Sequence, residues 1–82
     1  MHYQIEFKPK AVKALKKLPS GDSQKILAKI EALADTLQGD VKKLTNFTPE
    51  YRLRVGNYRV LFEIENDFII IYSIKHRRNA YQ

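Results

Sequence analysis

The sequence contains one stretch with the alternation of a half-buried β-hairpin, Tyr51-Arg-Leu-Arg-Val-Gly-Asn-Tyr-Arg-Val-Leu-Phe-Glu-Ile64. Before Gly56, apolar and basic residues alternate with the period of two that is typical of a strand with one buried face. Glycine and asparagine both accept positive φ angles, so Gly56-Asn57 predicts a two-residue hairpin turn. The rest of the chain is expected to pack around this hairpin.

A two-residue turn places Arg54 directly across from Arg59 on one face of the sheet. Like charges in this position destabilise a sheet. Arginine is also the side chain best suited to bidentate phosphate contact. The pair therefore predicts a phosphate-binding face. On the pattern alone, Arg52, Arg54 and Arg59 could equally be the solvated edge of a basic sheet.

The chain before the hairpin predicts one strand and two helices. His2–Phe7 alternates like a strand, and apolar residues then recur at helical spacing over Pro9–Leu18 and Ile26–Leu37. Pro19-Ser-Gly21 predicts the break between the helices, and Lys42–Pro49 is expected to be a connecting segment. Asp22 or Ser23 is the expected N-cap of the second helix, and Gly39 its C-terminal cap.

The chain after the hairpin predicts a last strand that is buried on both faces. Asn66-Asp67 is a second expected turn, and Phe68–Lys75 is apolar throughout most of its length. A two-residue loop at this turn places Arg59 across from Ile74, so His76 is expected on the face that carries Arg59.

These elements predict a single α+β domain over residues 1–82. The order is β-α-α-β-β-β, and the sheet is expected to be antiparallel with an αα-hairpin packed on one face. Val60, Phe62 and Ile64 supply the face toward the helices, so the arginines are expected on the open face.

Composition narrows the classes of function. The 82 residues carry a net charge of +6, which favours nucleic acid or another anionic partner. The chain has no cysteine, so disulfides and thiolate metal sites are excluded. No apolar run approaches the roughly 20 residues that span a bilayer. The protein is expected to be soluble and cytoplasmic, with no membrane partner.

The C-terminal tail, Ile74-Lys-His-Arg-Arg-Asn-Ala-Tyr-Gln82, adds groups that RNA chemistry needs. Cleavage by the 2′-hydroxyl requires a base, an acid, and cations that stabilise the phosphorane. An aromatic ring that stacks on a base is a frequent fourth component. The tail supplies an imidazole, two arginines and a tyrosine.

Together, the arginine-rich hairpin and the Lys75-His-Arg-Arg-Asn-Ala-Tyr81 ending resemble the RelE branch of the RelE/ParE toxin superfamily. The resemblance covers nearly the whole chain. It implies a ribosome-dependent mRNA endonuclease (an mRNA interferase) that cleaves message in the ribosomal A site. It also implies that no metal or other cofactor is used and that a RelB-like antitoxin neutralises the protein.

The resemblance also implies roles for residues. Arg52 and Arg54 match two basic strand positions, and Arg59 matches an arginine that contacts the scissile phosphate. Arg77 matches a C-terminal arginine with an acid or electrostatic role, and Tyr81 matches a tyrosine that stacks on the substrate base. We add further cations as candidate RNA contacts: Lys43, Lys75 and Arg78.

One departure from the family concerns the general base. Some relatives have lysine at a strand position where this chain has arginine, which keeps its proton at neutral pH and is therefore a poor base. His76 is the base or acid candidate here, because imidazole is the side-chain group suited to proton transfer near neutral pH, and a structural histidine is the alternative. Two other functions stay open: a ParE-like inhibitor of DNA gyrase, and a non-catalytic nucleic-acid-binding module.

Overall fold

The structure is a computed structural model, and it describes residues 2–79. The strands form one mixed sheet in the order β1-β5-β4-β3-β2, and both helices pack on one of its faces. The predicted α+β class and the helical pair on one face are confirmed. The elements in chain order are β1 (Gln4–Phe7), α1 (Pro9–Lys17), α2 (Ser20–Thr36), β2 (Asp40–Lys43), β3 (Tyr51–Val55), β4 (Tyr58–Glu65) and β5 (Phe68–His76).

The hydrophobic core lies between the helices and the sheet. Its largest fully buried side chains come from α2 and from the three central strands, and burying each contributes about 1.5–3 kcal/mol. Ala11 of α1 is also fully buried, so the first helix approaches the sheet closely. The fully buried large side chains are Phe62, Ile26, Ile30, Leu33, Leu53, Ile69, Ile71 and Val60. No helix within residues 2–79 is both long enough and apolar enough to cross a membrane.

The second helix begins earlier than its sequence predicts. Pro19 is its N-cap residue, and no side chain caps the helix there. Ser23 lies inside the first turn and its hydroxyl donates to the carbonyl of Ser20 at 3.0 Å. Asp22 also lies in the first turn, where the helix dipole stabilises a carboxylate. The expectation that Asp22 or Ser23 caps the helix was therefore wrong.

The end of α2 is closed by Leu37 and not by Gly39. Leu37 adopts the left-handed conformation with φ 57°, and its N–H donates to the carbonyl of Leu33 at 2.8 Å. Gly39 has φ 140°, and a Cβ on it would lie 2.8 Å from Cδ1 of Leu53. Glycine is required at this position because the chain passes the core side chain of Leu53 closely before it enters β2.

Two features of the sheet differ from the expected antiparallel four-stranded arrangement. Asp40–Lys43 is an edge strand, β2, paired antiparallel with β3, although part of it was expected to be a connection. All four of its residues are exposed, so it lacks the apolar alternation that marks a strand. β1 pairs with the free side of β5 in the parallel direction, which makes the sheet mixed.

The two hairpin turns form as predicted, but the second register contains an irregularity. Arg54 pairs with Arg59, as expected, across a turn in which Gly56 has φ 57°. Glu65 pairs with Phe68 across the Asn66-Asp67 turn. A bulge between Leu61 and Phe62 then shifts the pairing by one residue, because β5 has an extra residue there.

Candidate functional site

The bulge determines which side chains share a face with the arginines. Arg59 pairs with Lys75, and not with Ile74 as the uninterrupted register predicted. Arg54 pairs with Arg59 on the other side, so Arg54, Arg59 and Lys75 form one row across three strands. We call these three residues the cation row. Neighbouring strands lie about 4.8 Å apart, so the row concentrates three positive charges on the face away from the helices.

Arg52 lies beside the cation row on the same face of β3. Its side chain is only 11% exposed, whereas that of Arg54 is 57% exposed. Among the described residues, its Nε is a buried nitrogen without a hydrogen-bond partner. Arg52 is therefore a largely buried cation with unused hydrogen-bonding capacity, and Arg54 is the more accessible of the two.

The guanidinium group of Arg59 is held against the hairpin turn. Its Nη1 donates to the carbonyl of Gly56 at 2.9 Å and to the carbonyl of Tyr58 at 3.0 Å. These bonds use one nitrogen of a group with five N–H donors, so they orient the guanidinium without exhausting its donors. The turn that connects β3, which carries Arg54, to β4, which carries Arg59, therefore holds the guanidinium group of Arg59 in place.

Asp40, which the sequence analysis did not single out, lies next to Arg54 in the register. Its Oδ2 is 2.5 Å from Nε of Arg54, and its Oδ1 is 3.4 Å from Nη1 of Arg52. The same Nη1 of Arg52 also donates to the backbone carbonyl of Asp40 at 3.3 Å. The sequence carries no signal for this role of Asp40, because the exposed residues of β2 lack the pattern of a strand and the pairing with Arg54 depends on that strand.

His76 lies on the opposite face, so the expectation that it shares the Arg59 face was wrong. It pairs with Tyr58, whose ring it meets edge-on with centroids 5.9 Å apart. Its Nδ1 accepts the N–H of Arg78 at 3.3 Å. This bond occupies the Nδ1 lone pair, so the neutral ring carries its proton on Nε2.

A hollow of about 240 Å³ surrounds His76 between the sheet and α2. The hydroxyl of Tyr58 donates to Oδ2 of Asp22 at 2.9 Å, and Lys25 lines the rim. The hydrogen bond to Asp22, with burial and the carboxylate charge, raises the pKa of Tyr58 above its ordinary 10.0. The hydrogen bond between Tyr58 and Asp22 links the hairpin to the first turn of α2, and it was not predicted from the sequence.

The tail passes close to the hairpin turn after β5 ends. The N–H of Arg77 donates to the carbonyl of Asn57 at 2.7 Å. The N–H of Asn79 donates to the carbonyl of His76 at 2.8 Å. Arg77 and Arg78 are exposed. Both arginines are thus close to the end of the sheet that carries Arg54 and Arg59. Tyr81, the predicted stacking residue, lies outside the described residues.

Lys43 is the one predicted RNA contact that the register separates from the arginines. It pairs with Tyr51, whose ring stacks on Phe62 in the core at 5.5 Å, and its Nζ lies 3.6 Å from Glu50. Its neighbour Lys42 pairs instead with Arg52 and shares its face. Lys42 is therefore a cation of the arginine face that the sequence analysis missed.

The comparisons with known proteins agree with this architecture. A protein-family model, the ParE toxin of the type II toxin–antitoxin system parDE, matches residues 5–81. Toxin RelE3 of Methanocaldococcus jannaschii is 34% identical over 83 residues, covering 95% of this chain and 94% of the relative.

Two solved toxin–antitoxin structures are also similar. The RelB–RelE complex of Methanococcus jannaschii has a TM-score of 0.76 at 34% identity, covering 93% of this chain and 94% of that one. The RelE–RelB complex of Pyrococcus horikoshii has a TM-score of 0.80 at 30% identity, covering 98% of this chain and 100% of that one. The chain therefore belongs to the ParE-type toxin family of type II toxin–antitoxin systems, as a RelE-like toxin of the RelE/ParE superfamily.

Proposed function

We propose that this toxin is an endoribonuclease that cleaves mRNA on the ribosome, with the scissile phosphate bound at the cation row. The observation that carries the proposal is the row itself, in which Arg54, Arg59 and Lys75 lie side by side on the face that the helices leave free. Fixed cations of this kind stabilise the negative charge that develops on a phosphorane.

The proposed reaction is attack by the 2′-oxygen on the adjacent phosphorus. A bond forms between the 2′-oxygen and phosphorus, and the bond from phosphorus to the 5′-oxygen breaks. The 2′-hydroxyl loses a proton and the leaving 5′-oxygen gains one, so the products are a 2′,3′-cyclic phosphate and a 5′-hydroxyl. The dianionic phosphorane between these states is the species that the arginines would stabilise.

We assign the main catalytic contribution to charge stabilisation by Arg52, Arg54 and Arg59. Arginine does not lose its proton at neutral pH, so none of the three is a good base. Arg77 would supply acid or electrostatic assistance from the tail, and Tyr81 would stack on a base. Lys75, at the end of the cation row, and Arg78 would contact RNA phosphates. Lys43 would contact RNA outside the cation row.

His76 is the titratable candidate for the base or acid in this proposal, and its geometry limits that role. It lies on the helix side of β5 with its Nδ1 engaged by the N–H of Arg78. To reach a 2′-hydroxyl at the cation row, the ring would have to leave Tyr58 and give up that bond. We therefore expect His76 to contribute less than Arg59.

The partner we propose is a RelB-like antitoxin. The similar toxins of Methanococcus jannaschii and Pyrococcus horikoshii were solved in complexes with RelB. A small protein of this kind is expected to co-purify when the tagged chain is isolated from its native host. Repeated isolation of the chain alone, under low-salt conditions that preserve weak complexes, would argue against a dedicated antitoxin.

One observation favours a second candidate, the inhibition of DNA gyrase, because the matching family model is described as a ParE toxin. Primer extension on message from cells that express the chain separates the two functions. We expect 5′ ends at discrete codons for the wild type and their loss in Arg59→Ala. Lys17→Ala, which removes an exposed cation from α1, is the matched control and should cut like the wild type.

Intact message together with trapped gyrase–DNA complexes would contradict the endonuclease function and support inhibition of gyrase. Binding of RNA that falls steeply with salt, without cleavage on supplied ribosomes, would instead leave a nucleic-acid-binding module.

A further inference from the structure

The carboxylate of Asp40 contacts both arginines of β3. One of its oxygens lies 2.5 Å from Nε of Arg54 and the other lies 3.4 Å from Nη1 of Arg52. Each arginine thus has its own carboxylate oxygen. The two non-bridging oxygens of a phosphodiester could be shared between two guanidinium groups in the same way.

The place that Asp40 occupies is accessible from solvent. The side chain of Asp40 is 42% exposed and that of Arg54 is 57% exposed, so an incoming anion can reach this ion pair. Asp40 is also the first residue of β2, an edge strand whose four residues are all exposed. Moving this carboxylate aside disturbs no buried side chain of its own strand.

We propose that Asp40 is a built-in competitor of the RNA phosphate. Its carboxylate holds Arg52 and Arg54 in position in the free protein, and a substrate phosphate must displace it to engage both arginines. Asp40 is thus a positioning residue that lowers the affinity of the arginine face for RNA. The inference rests on the proposed function insofar as RNA phosphate is the ligand.

The strength of this competition follows from the exposure of the pair. Exposed ion pairs are weak individually. Asp40 makes one such pair with Arg54 and a longer contact, at 3.4 Å, with the largely buried Arg52. Removing its charge should therefore tighten RNA binding by about three- to tenfold in low salt. The binding should also become more salt-dependent, because each additional single-strand phosphate that is neutralised steepens the logarithmic salt slope by about 0.7.

The test uses the full chain and a fluorescent hexanucleotide in which every sugar is 2′-O-methylated, so that binding occurs without cleavage. Affinity is measured by fluorescence anisotropy between about 50 and 200 mM salt, the range over which phosphate contacts are lost. Asp40→Asn is the main variant, and Asp40→Ala serves if the first fails to fold in a thermal-unfolding check. Asp67→Asn is the matched control, because Asp67 is an exposed acid in the β4–β5 turn at the other end of the sheet.

We expect Asp40→Asn to bind more tightly with a steeper salt slope, and Asp67→Asn to change neither beyond the small general effect of one charge. A double-mutant cycle adds a readout that a merely structural role would not move. If Asp40 acts through Arg54, the gain from Asp40→Asn should be mostly lost in an Arg54→Gln background.

Unchanged or weaker binding by Asp40→Asn would overturn the inference, as would an equal gain in Asp67→Asn or in the Arg54→Gln background. Failure of every variant to bind the hexanucleotide would overturn it too, because the arginines would then take no phosphate even without the carboxylate. If the predicted binding changes occur but the protein does not cleave message on ribosomes, the role of Asp40 as a competitor is supported and the proposed endonuclease function is contradicted.

Discussion

Arg54 and Arg59 lie directly across from each other, and each has acceptors of its own. Arg54 contacts the carboxylate of Asp40, while Arg59 donates to the carbonyls of Gly56 and Tyr58. These contacts offset the repulsion between two like charges on neighbouring strands. The pair is therefore compatible with a stable sheet in the absence of an external anion, and it keeps unused N–H donors for one.

The first prediction compares Arg59 with His76. Arg59→Ala should lower the rate of ribosomal cleavage by about 100- to 1,000-fold, the effect of removing one fixed donor from a developing oxyanion. His76→Ala should lower it by less, because the imidazole lies on the other face of the sheet. Single-turnover rates on ribosomes programmed with one message measure both. A larger loss in His76→Ala would restore the histidine as the principal catalyst.

The second prediction concerns the hydrogen bond from Tyr58 to Asp22. The pKa of Tyr58 is raised above 10.0 in the folded protein, so the bond stabilises the fold below that pH. The stabilisation should disappear as the pH rises through the folded pKa and the phenol loses its proton. We expect Tyr58→Phe to have a lower melting temperature than the wild type at pH 8. The two curves should converge in strongly alkaline buffer, and a constant difference would contradict this origin of the stability.

At the scale of elements, the entry into β2 depends on a glycine. Gly39 has φ 140° and passes Cδ1 of Leu53 too closely for a Cβ. Gly39→Ala should therefore destabilise the fold by about 1–3 kcal/mol, the usual range for a strained backbone position. Chemical unfolding measures this loss. Gly21→Ala is the control, because a Cβ there meets nothing within 4 Å and the residue lies in α2. It should be neutral or stabilising, by up to about 1 kcal/mol.

The strands show what could be predicted from the sequence and what could not. The Arg54–Arg59 pair was predictable because a two-residue Gly-Asn turn determines the register of its hairpin. The bulge between Leu61 and Phe62 was not predictable, because β5 is apolar on both faces. A shift of one residue therefore still places apolar side chains on the buried face. The same bulge moved His76 to the helix side and brought Lys75 beside Arg59. β2 was missed because an exposed, charged edge strand lacks apolar alternation.

At the scale of the whole molecule, the two faces of the sheet have different environments. The helices pack on one face through a mainly apolar core, with the hydrogen bond from Tyr58 to Asp22 at its edge. The loop between β2 and β3 covers part of the other face, where Phe47 and Pro49 line a hollow of about 210 Å³ with Leu61 and Ser73. Lys75 of the cation row lines the same hollow, while Arg54, close to the hairpin turn, is exposed. The cation row, Arg52 and the start of the tail lie toward the hairpin end of this face, where Asp40 is paired with two of the arginines.

The most direct test of the proposed endonuclease activity is cleavage of a defined message on purified ribosomes, with the products analysed at both new ends. We expect the wild type to release fragments that end in a 2′,3′-cyclic phosphate and begin with a 5′-hydroxyl. Arg59→Ala should release almost none in the same time, and Lys17→Ala should match the wild type. Intact message with the wild-type chain bound to the ribosome, or equal cleavage by Arg59→Ala, would contradict catalysis at the cation row.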